Sequence, residues 1–146
     1  LQSDIQLIAD NLELTSELVE IKQNSDNPND IPLSETYTLK LSLTMPFRFN
    51  KHGWEIYFSH RNPITIVESD SFFINKINGE LYRLYESDKF KGFDSDKAVH
   101  ILITAKILAP KDVYILPKFY VMSEGLKTSL IKSTLVKKKD LSLFAD

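Results

Sequence analysis

Tyr37-Thr38-Leu39-Lys40-Leu41-Ser42-Leu43-Thr44-Met45 carries an apolar side chain at every odd position and a polar one at every even position. Side chains of an extended chain alternate between two faces, so this stretch reads as a strand with one buried face and one wet face. Pro46 cannot donate to a ladder, and Asn50, Lys51 and Gly53 follow it, which ends the strand in a turn. A second strand is expected over 54–59. There Trp54, Ile56 and Phe58 share one side while Glu55, Tyr57 and Ser59 share the other, and the bulkier set should face inward.

Farther along, Asn62-Pro63 marks a turn, and Ile64, Ile66 and Val67 form a third strand. A fourth, over 72–77, runs into Asn78-Gly79, a dipeptide that predicts a type I′ hairpin returning over 81–85. Residues 87–96, punctuated by Gly92, read as a polar loop. Val99, Ile101, Ile103, Ala105 and Ile107 alternate again, Pro110 and Pro117 frame a loop, and a last strand is expected over 118–122 before Ser123-Glu124-Gly125. Upstream, Leu12, Leu14, Leu18, Val19 and Ile21 indicate one more strand after a short helical turn near 5–9, with a loop over 26–30.

About eight short strands divided by turn signals, with no long amphipathic helix, predict an all-β fold, a two-sheet antiparallel β-sandwich. Its expected interior holds Leu39, Leu41, Leu43, Trp54, Ile56, Phe58, Ile101 and Ile103. The sandwich is expected over 1–133, with 134–146, which contains Lys137, Lys138 and Lys139, as a linker toward a further domain.

Composition narrows the function. At 146 residues with 42% hydrophobic content, the chain can bury a core without metals or disulfides. A formal charge of -2 offers no broad positive field for a polyanion, which disfavours nucleic acid. The absence of cysteine excludes disulfides, thiolate zinc sites and a cysteine nucleophile. No apolar run is long enough to span a bilayer as a helix, so no transmembrane segment is expected.

Several blocks, taken in order, resemble a known family. They are Trp54-Glu55-Ile56-Tyr57-Phe58-Ser59-His60, then Phe73-Ile74-Asn75-Lys76-Ile77-Asn78-Gly79-Glu80-Leu81-Tyr82-Arg83-Leu84, Phe90-Lys91-Gly92-Phe93, and Pro117-Lys118-Phe119-Tyr120-Val121. Together they resemble the N-terminal carbohydrate-binding-like domain of bacterial chitobiases, the β-N-acetylhexosaminidases of glycoside hydrolase family 20. The resemblance implies a sandwich similar to cellulose-binding modules, standing ahead of a catalytic domain in the same chain. It also implies N-acetylglucosamine-containing glycan as a ligand and a periplasmic, secreted or cell-envelope location. The chain departs from the pattern at Glu80, where aspartate is usual, at Tyr85, where proline is common, and around 106–108, where the family often carries an aromatic.

Family 20 chemistry, as the resemblance implies it, needs an adjacent Asp-Glu pair, and no Asp-Glu dipeptide occurs here. No catalytic residue is therefore expected, and the chain is expected to be a non-enzymatic accessory domain. Glu68 with Asp70, and Asp94 with Asp96, read as solvated pairs. His52, His60 and His100 lack metal-ligand spacing, so neither a metal nor a cofactor is expected.

A sugar ring's C–H face is recognised by flat, exposed aromatics on a rigid sheet. Trp54 is in phase with the core, whereas Tyr57 and Tyr85 alternate with polar neighbours. Tyr57, Arg83 and Tyr85 are therefore the carbohydrate-binding candidates, with Arg83 either a sugar contact or half of a structural ion pair. The alternative roles are a domain that braces the catalytic part of the same enzyme, or an unrelated protein-interaction sandwich.

Overall fold

The structure is a computed structural model that describes residues 3–23, 35–108, 118–123, 128–131 and 133–137. The strands among these described residues form two five-stranded sheets. The first contains β1 (Glu13–Gln23), β2 (Glu35–Thr44), β4 (Ile64–Glu68), β7 (Val99–Lys106) and β10 (Ser133–Lys137), in the order β10-β1-β2-β7-β4. The second contains β3 (Trp54–Ser59), β5 (Phe72–Asn78), β6 (Leu81–Glu86), β8 (Tyr120–Ser123) and β9 (Thr128–Leu130), in the order β5-β6-β3-β8-β9. The strand pairs are antiparallel apart from β1 with β10, which is parallel. The expected sandwich is thus the observed one.

Alternation produces the core. Tyr37, Leu39, Leu41 and Leu43 of β2 face Ala105, Ile103, Ile101 and Val99 of β7, residue for residue. Together with Trp54, Ile56 and Phe58 of β3, the expected interior residues are all buried. Inner-face side chains of both sheets belong to one apolar cluster. Burial of that area supplies most of the stabilisation that offsets chain ordering. In β1 the register shifts between Leu18 and Glu20, a bulge that leaves Val19 exposed and returns Ile21 to the core side. This accounts for the broken spacing Leu14, Leu18, Ile21.

The helical turn expected near 5–9 is α1 (Asp4–Asn11). Ser3 caps it by accepting from the Gln6 amide at 3.1 Å, and Ile8 and Ala9 are buried as the helix packs against β8, β9 and β10.

Three expectations change. First, the boundary after residue 133 does not end the sheet, because Ser133–Lys137 hydrogen-bonds along the edge of β1. The run of lysines hides Thr134, Leu135 and Val136, which are adequate strand formers. Second, the hairpin turn is centred on Gly79-Glu80 and not on Asn78-Gly79, since Asn78 pairs with Leu81 after a register shift beyond Lys76. Positive φ falls on Gly79 alone of these residues, the pattern of a II′ turn and not of I′. Third, the 87–96 loop contributes to the core. Phe90 and Phe93 are buried against Trp54 and Phe72, with Trp54 and Phe93 stacked at 5.9 Å and Phe72 and Phe90 at 4.7 Å. The loops expected at 26–30 and between Pro110 and Pro117, the turn after Ser123 and the linker beyond residue 137 lie outside the described residues.

Gly92 permits that aromatic loop to close. Its φ is +102°, and a Cβ would sit 2.8 Å from the Phe49 carbonyl oxygen, where Phe49 and Phe93 exchange backbone hydrogen bonds of 3.0 and 2.7 Å. Gly79 also has positive φ but faces open space. Gly92→Ala is therefore expected to cost about 2 kcal/mol or more, against about 1 kcal/mol for Gly79→Ala. Urea denaturation compares them directly, and equal midpoints would contradict the close backbone approach.

Candidate functional site

The inward phase of β3 sends Glu55, Tyr57 and Ser59 to the outer face of the second sheet. Because β3 lies between β6 and β8, its outward side chains meet outward partners on both sides. Two rows result across the strands. One runs Phe73, Tyr85, Glu55 and Met122, and the next runs Asn75, Arg83, Tyr57, Tyr120 and Leu130. The three candidate residues Tyr57, Arg83 and Tyr85 are consequently neighbours. Tyr120, which the sequence reading placed on a strand without singling it out, stands directly opposite Tyr57 and is 42% exposed.

Glu55 ties these residues together. Its Oε2 accepts a hydrogen bond from the Tyr57 hydroxyl at 3.1 Å and lies 3.1 Å from Arg83 Nε. The Arg83 Nε–H makes no aligned hydrogen bond, so this contact is an ion pair by proximity. Both side chains are partly exposed, which keeps its contribution to stability small. The Arg83 guanidinium lies 4.1 Å above the Tyr85 ring, a cation–π contact. Tyr85 also packs on Phe73 at 5.4 Å, and its hydroxyl accepts from Asn75 Nδ2 at 2.5 Å. Arg83 is thus half of an ion pair, and Tyr85 already has a covered face and an occupied hydroxyl.

Beyond Tyr57 the face opens into a hollow of about 300 Å³ lined by Tyr57, Phe58, Ser59, Leu81, Lys118 and Tyr120. The outer face of the first sheet has a different chemistry. Its shallow groove of about 490 Å³ is lined by Thr36, Thr38, Thr65 and Thr104 with flanking Lys and Glu, and among the described residues no aromatic lines it.

The remaining titratable candidates are dispersed. His60 is buried, with its Nε2 2.6 Å from the Tyr37 hydroxyl, His52 lies 2.9 Å from Glu86, and His100 lies 2.8 Å from Ser42 Oγ. Glu68, Asp70, Asp94 and Asp96 are exposed. Trp54 is buried, and its indole N–H donates to the Lys51 carbonyl at 2.9 Å. Among the described residues no helix is long and apolar enough to cross a membrane.

Desolvation raises the Tyr57 pKa above the ordinary phenol value, and the hydrogen bond to Glu55 and that carboxylate's charge add to the rise. Arg83 acts in the opposite sense. The neutral phenol is thus favoured in the fold, and the stability this adds is present below about pH 10 and lost as pH rises above it. Glu55→Gln is expected to lower the Tyr57 titration midpoint while leaving it above the ordinary value, since desolvation remains. Ultraviolet difference titration, with Tyr57→Phe identifying the signal, reads the shift. An unchanged or raised midpoint would mean that Glu55 does not govern Tyr57.

Comparison with known proteins gives the chain its family and its fold relatives. A β-hexosaminidase of Vibrio vulnificus is 30% identical over 135 residues, covering 91% of this chain. This chain spans only 16% of that relative's length. Two solved structures of a GH20 exo-β-N-acetylglucosaminidase from Vibrio harveyi share the fold. One is an inactive mutant and the other a complex with N-acetylglucosamine, each with a TM-score of 0.55 over 88% of this chain and 19% of that one, at 8% and 9% identity. The family described as "Putative carbohydrate binding domain" matches residues 11–146. The chain belongs to this CHB_HEX family, as an all-β sandwich corresponding to a small part of a β-hexosaminidase.

Proposed function

We propose that this domain is a non-catalytic glycan-binding module of a β-N-acetylhexosaminidase, and that it takes N-acetylglucosamine-containing chains on the outer face of the second sheet. The observation that carries this reading is the pair of outward rows that set Phe73, Tyr85, Tyr57 and Tyr120 beside Asn75, Arg83 and Glu55. Aromatic rings supply apolar area to the C–H faces of sugars, and the polar neighbours supply donors and acceptors for hydroxyls. The family membership supports the ligand class, and the fold relative captured with N-acetylglucosamine supports the sugar. A periplasmic, secreted or cell-envelope setting accompanies this reading, because such polymers lie outside the cytoplasm. Hydrolysis is assigned to the rest of the parent chain. The one carboxylate in the two rows, Glu55, is engaged by Tyr57 and Arg83, and the adjacent Asp-Glu pair of family 20 chemistry is missing.

A second reading has its own support. Phe73, Tyr120 and Leu130 are each more than 40% exposed on this sheet, an apolar surface that the catalytic part of the same enzyme could cover as a brace.

A shallow sheet surface yields little net affinity once the sugar's lost freedom is subtracted, so dissociation constants near ~1 mM, or somewhat below, are expected for N-acetylglucosamine oligomers. Isothermal titration should show this weak binding, with its loss in Tyr57→Ala, and a chromogenic N-acetylglucosaminide should remain uncleaved. Turnover by rigorously purified protein would overturn the non-catalytic assignment. Absence of oligomer binding, together with association to the separated catalytic portion, would favour the brace.

A further inference from the structure

We propose that the hollow between Tyr57 and Tyr120 is a subsite for one pyranose ring, whose substituent presents an acceptor oxygen to Lys118 and carries no positive charge. This assignment rests on the glycan-binding reading and gives it a place and a selectivity.

Size comes first. A volume of about 300 Å³ is at the lower limit of ligand pockets, which suits a single ring and not a chain lying along the sheet. The walls come next. Tyr57 and Tyr120 are direct cross-strand partners on β3 and β8, a pairing that sets Cβ atoms about 5 Å apart and places two phenol rings beside one position. Tyr57 is held by its hydroxyl bond to Glu55, so little of its rotamer freedom remains to be lost on binding. Tyr120 keeps much of its surface in solvent. Tyr85 is less available, because Arg83 covers its ring and Asn75 occupies its hydroxyl. At the hollow the free aromatic surface is therefore on the β8 side of Tyr57, while the exposed Phe73 stands two strands away on β5.

Charge sets the selectivity. Lys118 lines the hollow, is exposed, and has no carboxylate partner among the described residues. Among the described residues no carboxylate lines the hollow, and nearby Glu55 is already shared by Arg83 and Tyr57. An amide carbonyl or a sugar carboxylate would gain a charge-assisted hydrogen bond from the ammonium. A protonated amino sugar would face that ammonium with no counter-charge beside it.

The experiment titrates the protein with an N-acetylglucosamine trimer, its fully deacetylated counterpart and a uronic-acid oligomer, by calorimetry at low salt. The acetylated and uronic-acid probes distinguish the two acceptor sources. The wild-type protein is expected to bind at least one of them about threefold or more tightly than the amine. Tyr120→Ala should weaken binding by about tenfold. Lys118→Glu, a surface change that leaves the core untouched, should reverse the preference toward the deacetylated oligomer. Lys106→Glu makes the same charge change on the other sheet and should leave the preference unaltered. If no oligomer binds the wild-type protein, the glycan-binding reading falls and the subsite falls with it. If oligomers bind and Tyr57→Ala abolishes binding, while Tyr120→Ala and Lys118→Glu change neither affinity nor preference, the module reading survives and the subsite is overturned.

Discussion

The phase of β3 is the constraint on which the rest of this molecule depends. Trp54, Ile56 and Phe58 must be buried, and a strand has only two faces, so Glu55, Tyr57 and Ser59 are forced outward. A slip of one residue would bury Glu55 and Tyr57 and expose the tryptophan, an exchange of apolar for polar burial that the fold could not sustain. The lock is reinforced from below, where Trp54 sits among Phe72, Phe90 and Phe93, and from the side, where its N–H is fixed to the Lys51 carbonyl. A rigid interior thus determines what the surface displays.

From this phase the outer face follows by register. β3 is the central strand of the second sheet, so its outward residues inherit partners from β6 and β8. Tyr57 comes to stand between Arg83 and Tyr120, and Glu55 beside Tyr85. The ion pair, the phenol hydrogen bond and the cation–π contact then hold these side chains in place. Each is individually modest at a partly exposed site, but together they reduce the freedom that a ligand would otherwise have to remove. Preorganisation of a shallow surface is the kind of contribution an accessory module can make to an enzyme whose chemistry lies elsewhere.

Much of this was legible in the residues. Strict alternation over Tyr37-Met45 and Trp54-Ser59 defined the strands and their buried faces, and the polar neighbours of Tyr57, Arg83 and Tyr85 marked them as outward. Tyr120 was half legible, since Phe119 and Val121 flank it as inward residues, but alternation within one strand says nothing about which strand lies beside it. That β8 neighbours β3, more than sixty residues away in sequence, is a property of topology. The Gly79-Glu80 turn was missed for a related reason, because an extra residue in β5 moves the register by one and dipeptide statistics cannot sense it. Phe90 and Phe93 were hidden among charged neighbours in a segment with no periodicity. β10 was hidden by the lysines that follow it.

Glycan held on the outer face of the β3-centred sheet must perturb that face and leave the other sheet untouched. The most direct test is the map of backbone amide chemical-shift changes in the ¹⁵N-labelled protein as an N-acetylglucosamine oligomer is added. Changes are expected to concentrate at Tyr57, Ser59, Arg83 and Tyr120 on β3, β6 and β8, with the threonine-lined face of the other sheet silent. Changes centred on Thr38 and Thr104, or none at saturating oligomer, would contradict it.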